Sequence, residues 1–379
     1  DEFVPFFYVN CTGAQNNGKN IVTFDGGSTV YNVDGLPVVL SKRAYEQELI
    51  FVEDSDLGEK VSKRIEKSSI AQKYDAIIRG IRHVKDINGQ ESQPLYVIGL
   101  SGGIDSAVVA ALLTKAVGKE RVLGINMPSR YNSSKTKNAA AKVAEILEIG
   151  YETIPIDEIS ELNRKLIDGI DPARDGKKLS VSNMENVQAK IRGAGMLSNI
   201  AAKYNALFTN NGNKLEIALG YSTLYGDLGG AIVPIGDLTK TEVVEMALYL
   251  NEEIFGKEII PQEVIPDKLW RFREDQIQPS AELREKQVDP MKFGYHCALL
   301  AAITDYKKKT PEEFMRWYLD GTLEINLGIS NELIKRWCVD DPKEFVNDLE
   351  WFTKTVQRNI FKRVQTPPII ITSKSAYGY

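Results

Sequence analysis

Six consecutive residues hold the densest chemistry in the chain: Ser101-Gly102-Gly103-Ile104-Asp105-Ser106. They follow a short apolar run, Leu95 to Leu100, and open a helical pattern, Ile104 to Val117. A loop of small residues between a strand and a helix N-terminus is an anion site. Free N–H groups and the positive end of the helix dipole both face it. Gly102 and Gly103 let the backbone approach a phosphate closely, and Ser101 and Ser106 add hydroxyl donors. The GxxxxGK[ST] lysine is missing, so this is a different kind of phosphate loop. Asp105 would repel a phosphate unless a cation such as Mg²⁺ sat between them.

Three more segments are rich in polar groups. The first is Glu185 to Arg192, where Asn186, Lys190 and Gly193 fall at i, i+4, i+7 and share one helix face. Taken alone, that pattern also describes a solvated face. The second runs from Asn210-Asn211-Gly212-Asn213-Lys214-Leu215-Glu216 to Gly220-Tyr221-Ser222-Thr223-Leu224-Tyr225-Gly226-Asp227. The third is Pro234-Ile235-Gly236-Asp237-Leu238-Thr239-Lys240. Dense small and hydroxyl residues flanked by Glu216 and Lys240 suit a wet ligand cleft better than a core.

These segments need a scaffold, and the pattern around them supplies one. Strand signals at 95–100, 122–127, 152–156 and 206–209 alternate with helical signals at 104–117, 135–147 and 183–204. That alternation predicts an α/β fold with a doubly wound parallel sheet. A helix opens near Thr239, and the chain is largely helical past residue 295. Before the sheet, Ile70, Tyr74, Ile77, Ile78, Ile81 and Val84 are spaced for one face of a helix. Residues 54–68 are polar without periodicity and read as a linker. Residues 1–53 read as short strands with Asp25-Gly26 and Asp34-Gly35 turns. They are too few to close a core. The chain opens without Met inside what reads as a strand, so a fragment of a longer polypeptide is expected.

Composition narrows the chemistry. Of 379 residues, 47 are Lys or Arg and 52 are Asp or Glu, a net charge of −5 that disfavours general nucleic-acid binding. Two histidines, His83 and His296, and three scattered cysteines, Cys11, Cys297 and Cys338, exclude a structural zinc site and a disulfide framework. HExxH is absent, and neither histidine has a hydrolase-triad setting. No apolar run reaches the roughly 20 residues of a membrane span, and no signal peptide is evident. Free cysteines fit a reducing, cytoplasmic setting. What remains is carboxylates, lysines, backbone amides and a bound metal.

The SGGxDS string resembles the phosphate loop of the ATP pyrophosphatases, which cleave ATP between its α and β phosphates. The GNK-x-E, GYSTLYGD and PIGDLTKT strings strongly resemble the glutamine-dependent NAD synthetases within that superfamily. Residues 8–28 resemble the end of their nitrilase-like glutaminase domain, and Asn359 to Pro368 their final signature. The resemblance implies residues 1–53 as a glutaminase remnant, 54–68 as linker and 69–379 as the synthetase domain. It implies an ATP-dependent ligase that amidates deamido-NAD with ammonia, through an adenylated intermediate with release of AMP and pyrophosphate. Other ATP pyrophosphatases, GMP synthetase among them, are the alternative.

The resemblance also implies roles. Residues Ser101 to Ser106 (with Gly102, Gly103 and Ile104) hold ATP phosphates, Arg130, Asn211 and Ser280 lie near ATP, and Asp105 and Glu216 ligate Mg²⁺. Lys240 neutralises the α-phosphate or the leaving pyrophosphate. Asn186, Lys190, Glu216, Tyr221, Ser222, Thr223, Leu224, Asp227 and Lys362 contact deamido-NAD. Asn211 stands where the family often has Thr, and Lys190 where it often has Arg, a point charge in place of a fork. The glutaminase nucleophile is expected upstream of residue 1, so the chain is not expected to hydrolyse glutamine. Cys11 reads as a buried small side chain. A homodimer or larger homo-oligomer is also implied.

Overall fold

The computed structural model describes residues 4–42, 44–58, 61–62, 67–89, 91–277, 289–304, 308–374 and 376. Short strands come first: β1 (Phe6–Tyr8), β2 (Thr12–Asn16), β3 (Asn20–Asp25), β4 (Thr29–Tyr31) and β5 (Pro37–Leu40). β1, β4 and β5 form one small antiparallel sheet. β2 and β3 form a hairpin. The hairpin packs on α1 (Ser69–Asn88), where Ile21 enters the main core. Phe6, Phe7 and Tyr8 stay exposed. Cys11 is exposed as well, which corrects the expectation of a buried side chain. It sits in the short link between β1 and β2.

Ser68 caps α1 through the Ala71 N–H. The face predicted from periodicity is the face used: Ile77, Ile78, Ile81 and Val84 are buried, with Ile70 and Tyr74 packed beside them. Beyond α1 the chain alternates. β6 (Tyr96–Gly99), α2 (Ile104–Val117), β7 (Val122–Asn126), α3 (Ser134–Leu147), β8 (Gly150–Thr153) and α4 (Asp157–Asp168) come first. Then follow α5 (Val181–Lys190), α6 (Ser198–Lys203), β9 (Leu207–Phe208), α7 (Lys214–Leu219) and α8 (Lys240–Tyr249). The sheet is parallel, in the order β8-β7-β6-β9.

This sheet is wound on both faces, because β6 alternates apolar residues both ways. Tyr96 and Ile98 join the core shared with α1, α2 and α8, while Val97 joins Ile125, Ile191 and Leu197 on the other side. α2 is apolar nearly all round, as a helix enclosed by sheet and neighbouring helices must be. α5 and α6 form one rod joined by a π-helical stretch, Ile191–Leu197. After β9, Ile217 to Leu219 lie in α7, whereas Ile232 and Val233 extend the pairing through isolated bridges to Thr209 and Ile369.

The last part is helical, as predicted: α9 (Tyr295–Thr304), α10 (Pro311–Leu319), α11 (Leu323–Leu327), α12 (Asn331–Arg336), α13 (Pro342–Arg358) and α14 (Ile360–Arg363). Phe314, Phe345, Phe352 and Tyr295 centre its core, which reaches Leu215 and Leu219 of α7. β10 (Ile369–Ile370) then pairs parallel with β3. Among the described residues no helix is long and apolar enough to cross a membrane.

Candidate active site

In the sheet order, β7 and β8 lie on one side of β6 and β9 on the other. The chain therefore reverses direction of growth at β6, and a crevice opens outside the strand ends there. The Ser101–Ser106 loop leaves β6 into this crevice, and Asn210 and Asn211 leave β9 into it. Asn211 Nδ2 donates to Gly99 O at 2.9 Å, which ties the two strand ends together.

The loop is braced by its own serines. Gly103 N–H donates to Ser101 Oγ at 3.3 Å, and Ser106 Oγ donates to Gly103 O at 3.0 Å. Gly102 has φ of 86°, and a Cβ there would lie 2.0 Å from Thr136 O. Only glycine fits both constraints. Gly103 caps α2 without a side-chain acceptor, so the first-turn N–H groups stay available to an anion. Ile104 is buried and anchors the helix start, while Asp105 and Ser106 face the pocket.

Asp105 meets two residues from distant segments. Lys240 Nζ forms an ion pair with Asp105 Oδ2, and Asn213 Nδ2 donates to Asp105 Oδ1 at 3.1 Å. Asn213 also caps α7: its Oδ1 accepts from Leu215 and Glu216 N–H, while Glu216 Oε2 accepts from Asn213 N–H at 3.2 Å. This reciprocal box fixes the Glu216 carboxylate. Its other oxygen stands 3.8 Å from Lys240 Nζ. Lys240 opens α8 behind a second box, Thr239 with Glu242, and Glu242 is ion-paired to Lys73 of α1.

The cluster is short of positive charge. Burial, and then the Asp105 charge, push the Glu216 carboxyl up to about 8 against the pull of Lys240. Burial works against the Lys240 ammonium, but Asp105 and Glu216 outweigh it and hold the group above the usual lysine range. Two hard carboxylates with surplus negative charge fit Mg²⁺, which takes one or two carboxylates and completes its shell with phosphate and water. Among the described residues no group of three or more His, Cys, Asp or Glu side chains is placed to hold a metal.

The pocket wall comes from the 220–229 segment. Tyr221, Ser222 and Asp227 line it, and Tyr221 OH donates to Asp289 Oδ1 at 3.1 Å. Ser222 Oγ is buried with no hydrogen-bond partner among the described residues, the condition of a group that a ligand completes. Thr223 and Leu224 do not line the pocket. Thr223 braces it, donating its N–H to Asp227 Oδ1 at 2.6 Å and its hydroxyl to Asn186 Oδ1 at 2.8 Å. Lys362 holds the wall from behind, donating to Gly220 O at 2.7 Å and Ser222 O at 2.6 Å.

Two further expected residues, Lys190 and Arg130, lie away from the pocket. Lys190 faces an adjoining groove with Ile159, Ile167 and Met196, while Gly193 lines the pocket. The regular i, i+4, i+7 face breaks at the π-helical stretch that starts at Ile191. Arg130 is exposed and pairs with Asp157 at the start of α4, 3.2 Å away, outside the pocket lining. Ser280 lies outside the described residues.

The sequence reading missed Arg192 and Asn132. Both line the pocket, and Arg192 Nε donates to Met127 O at 3.0 Å. Arg192 sits off the predicted helix face, so only the π-helical stretch aims it inward. Asn213 was missed as well, although Asn-x-x-Glu is a legible capping signature.

Comparison with known proteins bears on this geometry. A glutamine-dependent NAD(+) synthetase of Synechocystis is 32% identical over 99% of this chain and 59% of its own length. One of Thermotoga maritima is 29% identical over 100% and 64%. The chain thus spans about three fifths of the length of these curated relatives. The glutamine-dependent NAD+ synthetase of Acinetobacter baumannii, solved with ADP, superposes with a TM-score of 0.61 at 25% identity, over 99% of this chain and 61% of that one. The Cytophaga hutchinsonii enzyme shares the fold, with a TM-score of 0.67 at 17% identity over 96% and 60%. These matches disfavour the GMP synthetase alternative. Residues 76–324 match the NAD synthase family model, and the chain belongs to that family.

Proposed function

We propose that this chain carries the synthetase reaction: ATP-dependent conversion of deamido-NAD to NAD with ammonia. One carboxylate oxygen of the nicotinate ring attacks the α-phosphorus of ATP, and the bond to the β-phosphate breaks to release pyrophosphate. Ammonia then attacks the activated carbonyl, the C–O bond to AMP breaks, and the ammonium nitrogen loses its extra protons to solvent. The observation that carries the reading is the convergence of Asp105, Glu216 and Lys240 beside the open N-terminus of α2. The ADP in the Acinetobacter relative supports ATP as the nucleotide.

The residues act mostly by placing groups and neutralising charge. Ser101 to Ser106 cradle phosphate oxygens with N–H and hydroxyl donors. Asp105 and Glu216 would hold Mg²⁺, which supplies neutralisation of the phosphate charge when bound. Lys240, kept charged, faces the leaving pyrophosphate. Ser222 Oγ and Tyr221 contact the dinucleotide, while Asn186, Thr223, Asp227 and Lys362 keep the wall in shape. Asn211 holds the crevice end against ATP. Relatives named as glutamine-dependent support glutamine as the source of the nitrogen; this site serves the step in which ammonia displaces AMP.

We also read the chain as a homodimer or larger homo-oligomer. Leu162, Leu166 and Ile170 stand exposed along α4 and just beyond it, with Val181 exposed at the start of α5. A second copy would cover such a face.

The direct test is pyrophosphate release from ATP, Mg²⁺ and ammonium chloride. Release that requires deamido-NAD supports the proposal. A folded chain that releases none, or releases it equally with xanthosine monophosphate, overturns it.

A further inference from the structure

Two charged residues within the site motifs have no part in the chemistry above, and both are buried. Lys214 is 3% exposed and Asp237 1%. Lys214 Nζ lies 3.0 Å from Asp237 Oδ1. A buried ion pair is tolerated only when its remaining hydrogen-bonding capacity is also met, and here one stretch of chain meets it. Asp237 Oδ2 accepts from Thr372 N–H at 2.8 Å and Ser373 N–H at 2.7 Å. Asp237 Oδ1 accepts the Ser373 hydroxyl at 2.9 Å, and Lys214 donates to Ser373 Oγ at 2.9 Å.

The same stretch is bonded along both edges just upstream. β10 pairs with Asn20 and Ile21 of β3 on one side. On the other, Val233 bridges Ile369, and Val233 N–H donates to Pro368 O at 2.9 Å. Ile232 in turn bridges Thr209 beside β9. Paired backbone thus runs from the β2–β3 hairpin, through residues 368–371, to the sheet edge at the pocket. The seating is tight: a Cβ at Gly236 would come within 2.9 Å of Val233 and 3.1 Å of Ile369.

Asp237 precedes Lys240 by three residues, and Lys214 precedes Glu216 by two. Lys214 N–H also donates to Leu238 O at 2.8 Å, which joins the two segments directly. We infer that residues 369–373 act as a strap that positions Lys240 and Glu216, and that Asp237 is the positioning residue registering the β2–β3 hairpin to them. Movement of the hairpin reaches the reacting phosphates by this route. The inference rests on the proposed reaction for its kinetic readout and on backbone exchange for an independent one.

The test uses the full 379-residue chain with Asp237→Asn, Ser373→Ala and Lys19→Met. Lys19, in the turn between β2 and β3, donates to Val364 O and Thr366 O, so it grips the approach to the strap without touching the site. Asp237→Asn should speed amide exchange over residues 213–219 and 238–244 about tenfold, leaving α2 and α13 unchanged. Its kcat for pyrophosphate release should fall about 10- to 100-fold at an unchanged KM for ATP, the cost of misplacing a group that acts in the transition state. Ser373→Ala and Lys19→Met should show the same pattern more weakly. They decide the matter if Asp237→Asn fails to fold. Unaltered exchange in both segments in folded variants would overturn the strap, as would a kcat loss without faster exchange there. An unsubstituted chain that releases no pyrophosphate refutes the reaction instead, while exchange still decides the strap.

Discussion

Lys240 and Asp105, 135 residues apart, form an ion pair, and Glu216 stands 3.8 Å from the same ammonium. Each side chain is the product of a separate helix start. Asp105 lies in the first turn of α2, Glu216 closes the capping box of α7, and Lys240 opens α8. The uncapped N-terminus of α2 favours an anion beside these side chains, and the two carboxylates add the demand for a cation.

Removing either carboxylate should disable the reaction without unfolding the chain. Asp105→Asn or Glu216→Gln is expected to lower pyrophosphate release about 10³-fold, and Lys240→Met about 10²- to 10³-fold. Steady-state kinetics at saturating Mg²⁺, with circular dichroism as the folding check, measures this. Near-normal rates in both carboxylate variants would refute the metal assignment.

Gly102 and Gly103 look alike in the sequence, but the structure separates them. Gly102→Ala forces a left-handed backbone onto alanine and drives its Cβ into Thr136 O, at a cost of about 2–4 kcal/mol. At Gly103 the nearest atom to an added Cβ is Ser101 Oγ at 3.5 Å, and φ is negative, so Gly103→Ala should cost about 1 kcal/mol or less. Urea unfolding of both variants checks the difference.

Lys362 should matter for the dinucleotide more than for ATP. Lys362→Met leaves the carbonyls of Gly220 and Ser222 without their donor, a loss of about 1–3 kcal/mol. The KM for deamido-NAD is expected to rise about tenfold, and that for ATP to change less than about twofold.

His296 makes stability depend on pH. It is buried, and Lys292 N–H donates to its Nδ1 while Nε2 faces Asp348 Oδ2 at 3.1 Å. Burial holds the imidazole below its usual 6.5, although Asp348 pulls the other way. The unfolded chain therefore binds a proton near 6.5 that the folded chain refuses. This contribution is full above pH 6.5 and is lost as pH falls through that value, by up to about 1.4 kcal/mol per pH unit. Asp348 acts in the same sense at lower pH: burial opposes its charge, but His296 and Lys292 outweigh it and hold the carboxyl below the usual range. Thermal melting from pH 5 to 8 should show Tm falling on the acid side, and His296→Gln should flatten the change between pH 5.5 and 6.5.

Much of the scaffold was legible because it is local. Ile104 to Val117 carries glycines before it and Gly118 after it, so its limits could be read directly. The α1 face declared itself by spacing. What escaped the sequence was set by tertiary geometry. The π-helical stretch turned Arg192 into the pocket and left Lys190 outside it. Arg130 found Asp157 and Glu161, partners on a helix whose neighbour no pattern announces. The strap was illegible because two-residue pairings to β3 and Val233 leave no periodic trace. The exposed Cys11 shows the same limit, since burial of a lone small residue depends on what lies over it.

The central claim is that this pocket joins the nicotinate carboxylate to the α-phosphate of ATP. Deamido-NAD labelled with ¹⁸O in that carboxylate, turned over with ATP, Mg²⁺ and ammonium, tests the bond itself. The account predicts one ¹⁸O in the phosphate of the AMP released, with pyrophosphate formed in equal amount. Unlabelled AMP, or ADP and inorganic phosphate in place of AMP and pyrophosphate, would contradict it.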